Sequence, residues 1–570
     1  MTPGKDKNIK YLRKVYILKK IFLPVLVMLN RVGLVKPLGK LINSLIRVAG
    51  IKKNVNYFFK YKDFSSMFRD QFRNSEPGPG IVLFPLMTGV NGNFTLLNLL
   101  YSKYLIESDN LKPVFLVCDS AVKICSRDGM LKSRKTNPLF CYECWDGYKD
   151  IESATGIETR YFTDLVDPGN ESLISINIEI DRISTIDECI GFRFNNLPVG
   201  EYCKKSVLRY FLVGTFDGRP KEVEVYREYL KSASYYTLMM ETYLTDNPEV
   251  KYMIIYNGTL GFESIARHYA SLLNINYITQ EVFLGQNGLI YKRNGEVMNL
   301  DWSDDYEKFT RTFKVDAEAI ERTDTFFSDL KSGKLVYKTM NREHQQGILN
   351  DIGRYVCLFT NMNFDTAVLD RNSIFSSMED WLNRVIDSWD RVSSGVTLVI
   401  RIHPGESKLV TASREFMGDR IRGKIAGKNN ILIIDSVEKV NSYELISGMQ
   451  YAMIYSSTIG LETAYLGKPC VVAGMPYFRN KSFVISPASQ DEYFETIARL
   501  NKNLYRFEID RNELVRTVNF VYFDRLKRIN GIKVYTPEEE PNTIYKTPGE
   551  MIEGNRKFLQ DFRNELIGDI

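Results

Sequence analysis

The sequence predicts an α/β protein with two domains, each built on a parallel sheet. Short apolar runs alternate with helical segments along the 570 residues, and polar clusters follow several of these runs. Such alternation favours parallel sheets covered by helices on both faces. A chain of this length also exceeds what one hydrophobic core usually serves, and 44% hydrophobic residues suffice for two cores. We therefore expect two Rossmann-like domains.

The predicted strands form two groups, separated by a polar, strand-poor zone from about residue 301 to 346. A stretch rich in Pro and Gly, from Ser75 to Gly80, marks the entry to the first domain. These features divide the chain into a basic segment (1–75), an N-terminal domain (76–335), a C-terminal domain (336–500) and a helical extension (501–570). The predicted strands are Ile81 to Pro85, Pro113 to Cys118, Tyr252 to Tyr256, Asn276 to Thr279, Tyr355 to Thr360, Leu398 to Ile402, Ile431 to Ile434, Ala452 to Tyr455 and Cys470 to Ala473.

The N-terminal segment is basic and amphipathic. From Met1 to Lys60 there are fourteen Lys or Arg and one acidic residue, whereas the whole chain has a net charge of +5. Apolar residues interleaved with cations suit the headgroup region of an anionic membrane. The longest uncharged apolar run, Ile21 to Leu29, is too short to span a bilayer and contains Pro24. We expect peripheral attachment to the inner face of the cell membrane, against the alternative of helices packed on the first domain.

Two further classes of protein are disfavoured by the sequence. No nucleic-acid-binding module accompanies the basic residues, so we expect no nucleic-acid partner. Eight cysteines in a chain of this length do not make a disulfide framework, which favours the reducing cytoplasm. The loop at Gly89 to Asn93 lacks the dinucleotide fingerprint, and no metal-binding acidic motif stands out. We therefore predict no metal and no other cofactor.

Polar residues follow two predicted strands of the second domain. His403-Pro404 follows Leu398 to Ile402, and Ser456-Ser457-Thr458 with Gly460 follows the strand ending at Tyr455. Parallel strands bring their carboxyl ends to one edge of the sheet, where ligands collect. Hydroxyls and free N–H groups before a helix suit a phosphate, although the same hydroxyls can simply cap the helix.

Three carboxylates of the second domain are further candidates for contacts with a nucleotide. Asp435 ends a strand, and Glu462 lies in the first turn of the helix that follows the serines. Glu444 is the third, although Asn441 and Glu444 also make a plausible capping box. In the first domain, the glycines of the Gly89 to Asn93 loop permit close approach of a ligand, while Asn93 can also act as an N-cap.

Several motifs in both halves of the chain resemble those of a known protein family. The His-Pro pair, the Ser-Ser-Thr turn followed by Gly-Leu-Glu, and Gly467-Lys468-Pro469 resemble the C-terminal half of bacterial capsule polysaccharide synthesis proteins. That group is similar to bacterial polysialyltransferases and Kdo transferases, which are GT-B glycosyltransferases using CMP-activated sugars. Asn257-Gly258, Ala266 and Glu281 resemble its N-terminal half. The clear resemblance covers about residues 397–478.

The resemblance implies a GT-B enzyme whose two Rossmann-like domains face each other across a cleft. The second domain would bind a nucleotide-sugar donor, with a CMP-sugar favoured. Its donor-binding residues would be His403, Pro404, Asp435, Glu444, Ser456, Ser457, Thr458, Gly460 and Glu462. The first domain would bind a glycan or lipid-linked acceptor, and its acceptor-binding residues would be Asn91, Gly92, Asn93, Asn257 and Gly258.

Catalysis would rest on charge stabilisation of the phosphate, with His403 contributing, and on a carboxylate base. Glu281 is the first candidate for that base. Trp145-Asp146-Gly147 resembles the acidic-acidic-glycine motif of polysialyltransferases, with Trp145 in place of the first acid, so Asp146 is the second candidate.

Three alternatives to this function stay open. Teichoic-acid polymerases, which transfer glycerol phosphate from CDP-glycerol, have a similar His-Pro and Ser-Ser pattern. A nucleotide-sugar 2-epimerase would share the two-domain architecture. A non-catalytic, membrane-associated factor of a capsule assembly complex is the third.

Overall fold

The computed structural model describes most of the chain after residue 76, and the basic segment from Met1 to Lys60 lies outside it. For residues 92–93, 138–146 and 408 it describes only the backbone. The described residues are 68, 72, 77–87, 92–125, 138–283, 288–332, 334, 352–408, 415–532, 545 and 547–568.

The first half of the chain folds around a sheet with helices packed on it. The strands that it contributes are β1 (Ile81–Leu86), β2 (Lys112–Val117), β3 (Glu158–Tyr161), β4 (Val250–Tyr256), β5 (Asn276–Val282) and β6 (Gly288–Arg293). The helices are α1 (Gly92–Asp109), α2 (Pro138–Thr155), α3 (Phe162–Leu165), α4 (Glu171–Arg182), α5 (Ile186–Gly191), α6 (Val199–Phe211), α7 (Pro220–Asp246) and α8 (Gly261–Leu272).

These strands lie in the order β3-β2-β1-β4-β5-β6, which is the strand order of a Rossmann sheet. Pairing is parallel from β3 to β5, and β6 is antiparallel to β5. β1 is almost entirely buried, as expected of a central strand covered on both faces.

The second half repeats this plan with a fully parallel sheet. Its strands are β7 (Tyr355–Phe359), β8 (Thr397–Arg401), β9 (Ile431–Ile434), β10 (Ala452–Ile454) and β11 (Cys470–Val472). They lie in the order β9-β8-β7-β10-β11, again a Rossmann order. The helices are α9 (Ser303–Thr312), α10 (Ala317–Ser332), α11 (Met378–Val392), α12 (Gly405–Lys408), α13 (Met417–Ile425), α14 (Ser442–Gly448), α15 (Ile459–Tyr465) and α16 (Gln490–Asn501).

The chain then returns to the first sheet. After α17 (Arg511–Asn519) and a π-helical turn (Phe520–Arg525), the short strand β12 (Lys527–Arg528) pairs antiparallel with β6. The last helices are α18 (Pro548–Gly554) and α19 (Arg556–Ile567). Phe562 of α19 stacks on Tyr101 of α1 with ring centroids 4.0 Å apart, and Arg563 pairs with Asp109 at 2.5 Å. The C-terminal residues thus complete the core of the first half.

The predicted fold class is confirmed, because the chain forms two α/β units on Rossmann-ordered sheets. All the predicted strands are present, with ends shifted by up to three residues. The sequence analysis did not predict β3, β6 and β12, which are short or carry charged residues. The domain boundaries stay a prediction. Within the described ranges, no helix combines the length and apolar character that crossing a membrane requires.

Candidate functional site

The strand orders locate one crevice in each half. In an open α/β sheet, ligands bind beyond the carboxyl ends of the strands at the point where the strand order reverses. That point lies between β1 and β4 in the first sheet and between β7 and β10 in the second. The loop after β4 begins at Asn257, the loop after β7 begins at Thr360, and Ser456 follows β10 closely.

The second crevice brings two of the predicted residues to either side of one turn. The backbone N–H of His403 donates to Thr360 Oγ1 at 2.9 Å. The N–H of Ser456 donates to Asn361 Oδ1 over a long 3.5 Å, and its hydroxyl donates to the carbonyl of Ala367 at 2.9 Å. His403 and Ser456 follow the strands on either side of β7, and they therefore flank the Thr360-Asn361 turn.

His403 is held as a neutral imidazole. Its pKa is lowered from 6.5 to about 4, mainly by burial; Asp365 opposes this shift and Arg401 adds to it. The N–H of Gly405 donates to Nδ1 at 3.0 Å, so the hydrogen of the neutral ring is on Nε2. His403 can therefore donate one hydrogen bond from Nε2 to an incoming anion without carrying a charge.

Arg401, which the sequence analysis did not single out, orders the loop after β9. It is buried, and its guanidinium donates to the carbonyls of Asp435 at 2.6 Å, Val440 at 3.3 Å and Glu438 at 3.4 Å. Burial lowers the pKa of Arg401. The Asp435 carboxylate pairs with Arg422. Arg401 thus positions the loop, while Asp435 is already engaged by a surface cation.

The remaining donor candidates differ in how accessible they are. Glu444 is exposed, and the half-buried Glu462 accepts a hydrogen bond from the Tyr443 hydroxyl. Ser457 Oγ accepts a long hydrogen bond of 3.4 Å from the N–H of Ile459. Thr458 is the exposed N-cap of α15, and its side chain makes no capping hydrogen bond. These hydroxyls are only weakly engaged by the protein.

Two other predicted donor residues shape the backbone of this crevice. A Cβ on Gly460 would lie 2.6 Å from Ile454 Cδ1, so this glycine lets α15 pack closely on β10. The carbonyl of Pro404 accepts the Ser407 hydroxyl at 3.4 Å in the turn after His403. Both residues support the crevice through the backbone.

Glu281, the predicted base, lies at the first crevice, where three neighbouring groups donate hydrogen bonds to its carboxylate. The carboxylate accepts from the Tyr256 hydroxyl at 3.1 Å, from the Asn257 side-chain amide and from the N–H of Val282 at 2.8 Å. Burial raises the pKa of Glu281, and these hydrogen bonds and Arg209 oppose the rise. Asn257 therefore positions Glu281. Gly258 has φ +79°, and a Cβ there would lie 2.4 Å from Thr279 Cγ2, so the turn requires glycine.

A second carboxylate, Glu263, lies next to this network and was missed by the sequence analysis. It is in the first turn of α8 and is only 4% exposed, and neither carboxylate oxygen has a hydrogen-bond partner in another described residue. Its pKa is raised from 4.5 to about 7, mainly by burial; its own N–H and Arg209 oppose the rise, and the charge of Glu281 adds to it. Acidic residues are common in first turns, so nothing in the sequence marks this one as buried.

Lys205 connects the two crevices. Its ammonium lies 3.4 Å from Glu296 Oε1 and 3.3 Å from Asp370 Oδ2. Glu296 also accepts from the Thr259 hydroxyl at 2.9 Å, in the loop after β4, while Asp370 lies in the loop after β7. The carboxyl ends of the two sheets therefore face each other.

Some predicted residues lie outside the description. Asn91 lies outside the described residues, and only the backbone of Gly92, Asn93 and Asp146 is described, so their assignments stay predictions. In the described ranges, no group of three or more His, Cys, Asp or Glu side chains could hold a metal ion.

Comparison with known proteins gives distant structural likenesses. No protein-family model matches the chain, and a search of curated proteins finds no match. Among solved structures, the chain is similar to the Thermosulfurimonas dismutans KpsC beta Kdo 2,4 transferase at 14% identity and a TM-score of 0.34. That match covers 53% of this chain and 88% of the other. The beta Kdo 2,7 transferase of the same KpsC matches at 13% identity and a TM-score of 0.31, over 56% and 89% of the two chains.

A Neisseria meningitidis UDP-GlcNAc 2-epimerase bound to UDP-GlcNAc matches at 10% identity and a TM-score of 0.22. It covers 77% of this chain and 97% of the other. Transferases and epimerases thus both occur among the structural neighbours.

Proposed function

We propose that this protein is a GT-B glycosyltransferase that moves a sugar from a nucleotide-activated donor to a glycan or lipid-linked acceptor. The observation that carries the proposal is the approach of the two sheet ends at Lys205. In this proposal the carboxylate network of Glu281 would serve one side of the cleft, and His403 with the weakly engaged hydroxyls after β10 the other. A donor bound at the second crevice would then present its sugar to an acceptor at the first.

The proposed chemistry uses the Glu281 carboxylate, which accepts three hydrogen bonds, and the neutral His403 imidazole. Glu281 accepts the proton of the acceptor hydroxyl, and that oxygen bonds to the anomeric carbon as the bond from this carbon to the nucleotide phosphate oxygen breaks. The Nε2–H of neutral His403 donates a hydrogen bond to the departing phosphate. Asn257 and Tyr256 hold Glu281 for this role.

The sequence resemblance of residues 397–478 to capsule polysaccharide synthesis proteins favours a CMP-sugar as donor and a capsular or other surface glycan as product. A thermal-shift screen against CMP, CDP, UDP and GDP tests this, because a nucleotide that binds only the folded state raises the melting temperature. We expect the largest shift with CMP, and a smaller shift in His403→Ala. His268→Ala, in the first half, is the matched control and should respond like the native protein.

The product then separates the possible activities. Transfer of sugar from a CMP-sugar to an acceptor supports the proposal. Incorporation of glycerol phosphate from CDP-glycerol would replace it with a polyol-phosphate transferase, and turnover of UDP-GlcNAc without acceptor would replace it with a 2-epimerase. Absence of any nucleotide-induced shift in melting temperature would favour the alternative of a non-catalytic assembly factor.

The proposal extends to the basic segment from Met1 to Lys60, whose charge and apolar residues suit an anionic membrane surface. The full chain should sediment with anionic liposomes and leave them at high salt, because the Debye length falls from ~10 Å at 0.1 M to ~3 Å at 1 M. The chain without residues 1–60 should stay in solution and still bind nucleotide. Equal liposome binding by both chains would rule out the anchor.

A further inference from the structure

Arg371 links the second crevice to the first half of the chain. It lies in the segment after β7, where its backbone carbonyl accepts the N–H of Met475, just after β11, at 2.9 Å. Its side chain reaches Asn299, which follows β6, and Nη1 donates to Oδ1 at 3.0 Å and also to the backbone carbonyl. The backbone of Arg371 therefore borders the second crevice, and its guanidinium lies where the two halves meet.

Within the described chain, this guanidinium is a buried cation without an ion-pair partner. Arg371 is only 8% exposed. Burial lowers its pKa, and the charges of Glu296, Asp370 and Asp301 oppose the shift. Glu296 and Asp370 pair with Lys205 instead, and Asp301 is hydrogen-bonded within its own turn. A buried cation that no anion pairs with is costly, so the site calls for an anion.

One edge of the guanidinium is open to such an anion. The Nε and Nη2 groups of Arg371 donate no hydrogen bond to a described residue, and neither of them is sealed from solvent. These two groups share the edge of the guanidinium that binds two oxygens of a phosphate or carboxylate at once. Asn299 engages only Nη1, so it orients the guanidinium and leaves this edge available.

The segment that carries Arg371 is also tied to the proposed donor site. On one side of Arg371, the carbonyl of Ala367 accepts the Ser456 hydroxyl at 2.9 Å. On the other side, Asn372 Oδ1 accepts the Tyr455 hydroxyl at 2.7 Å. Arg371 thus lies between two contacts with the residues that follow β10, at the point where the strand order of the second sheet reverses.

The predicted donor-binding residues do not supply a positive charge. His403 is neutral, and the residues that follow β10 offer hydroxyls. A departing phosphate gains a negative charge, because its oxygen keeps the electron pair of the broken bond to the anomeric carbon. A neutral imidazole donates a hydrogen bond to that charge but does not balance it, whereas a guanidinium does both.

We infer that Arg371 binds the phosphate of the nucleotide donor through its Nε and Nη2 groups and balances the charge that the phosphate gains as it departs. This assignment rests on the proposed glycosyltransferase function for the identity of the ligand, whereas an anion site at Arg371 does not need that function. The competing role is purely structural, with Arg371 tying the two halves together through Asn299.

The test compares a nucleotide with its nucleoside, because the two differ only in the phosphate. Calorimetric titration of the full chain measures CMP directly and cytidine by competition; if the thermal-shift screen selects another nucleotide, that nucleotide and its nucleoside replace them. In Arg371→Met, the preference for CMP over cytidine should fall by about tenfold or more, with cytidine affinity unchanged, because a hydrogen bond to a charged group is lost. Arg384→Met, which removes an exposed ion pair with Asp380, is the matched control and should keep the native preference.

A purely structural role would weaken both ligands equally or neither of them. Either result would overturn the inference and leave the proposed function standing. If Arg371→Met fails to fold, as loss of a cooperative thermal transition would show, Arg371→Lys decides. Lysine keeps the charge but loses the two-pronged contact, so the preference for CMP should fall by about threefold. An unchanged preference in this variant would overturn the inference.

A native chain that binds no nucleotide would overturn the proposed function, and inorganic phosphate then becomes the probe for Arg371. A rise in melting temperature with phosphate in the native chain and in Arg384→Met, with a smaller rise or none in the folded Arg371 variant, would support the anion site. No rise in the native chain, or an equal rise in the Arg371 variant, would overturn the anion site as well.

Discussion

Burial shifts the pKa of titratable groups in opposite directions at the two crevices. At the first sheet, burial raises the pKa of Glu263 to about 7 and also raises that of Glu281. At the second sheet, burial lowers the pKa of His403 to about 4. Burial therefore favours the uncharged form of an acid at one crevice and of a base at the other. One physical cause, burial, thus accounts for both shifts, whatever the sign of the charge that the group carries when ionised.

The largest expected effect concerns stability at the first crevice. Glu263 binds its proton more tightly in the folded chain, so its contribution is fully present below pH 4.5 and is lost as the pH rises to about 7. The loss is about 3 kcal/mol, from a pKa difference of about 2.5. Glu263→Gln should remove this pH dependence, so its stability relative to the native chain should be higher at pH 8 than at pH 4. Urea unfolding at the two pH values measures it.

The control for this experiment is Glu249→Gln, an exposed carboxylate just before β4 at the opposite edge of the same sheet. It should leave the pH dependence unchanged. The second crevice has the opposite sign, because His403 loses its contribution as the pH falls from 6.5 to about 4. Equal pH dependence of the free energy of unfolding in the native chain and in Glu263→Gln would mean that the Glu263 carboxylate is solvated in the folded chain. The opposite pKa shifts at the two crevices would then not hold at the first crevice.

The next effect separates chemistry from binding. If Glu281 is the base, Glu281→Gln should lower turnover by ~10²-fold or more while preserving nucleotide affinity. Glu249→Gln again serves as the control and should keep full turnover. Near-normal turnover in Glu281→Gln would move the base elsewhere, with Asp146 the next candidate.

A smaller effect is expected at the second crevice, where the change should be in binding. His403→Ala and Ser457→Ala should each weaken nucleotide binding by roughly tenfold to a hundredfold, because a hydrogen bond to a charged group contributes ~1.5 to 3 kcal/mol. Calorimetric titration with the nucleotide found in the screen measures this. Unchanged affinity in both variants would remove the donor site from the ends of β8 and β10.

The ends of β8 and β10 could be predicted from the sequence, whereas some buried charged residues could not, for physical reasons. Buried parallel strands are nearly continuous apolar runs, so the residues that follow them, such as His403 and Ser456, can be identified from the sequence. Glu263 and Arg401 could not be found in this way, because their roles depend on burial and on contacts with distant segments. Gly460 was predicted to bind donor, but its close contact with Ile454 is a packing requirement that sequence spacing does not reveal.

The smallest expected effect tests whether the two crevices act as one site. Lys205 is partly exposed and lies over 3 Å from each of its partners, Glu296 and Asp370, so we expect each ion pair to contribute ~0.2 to 1 kcal/mol. Lys205→Met should therefore lower turnover only by about fivefold while leaving nucleotide affinity unchanged, because neither crevice loses a ligand contact. Lys221→Met, which removes an exposed ion pair with Glu224, is the matched control. If Lys205→Met weakened nucleotide binding as strongly as His403→Ala, Lys205 would itself contact the donor, and the division between a binding crevice and a catalytic crevice would have to be redrawn.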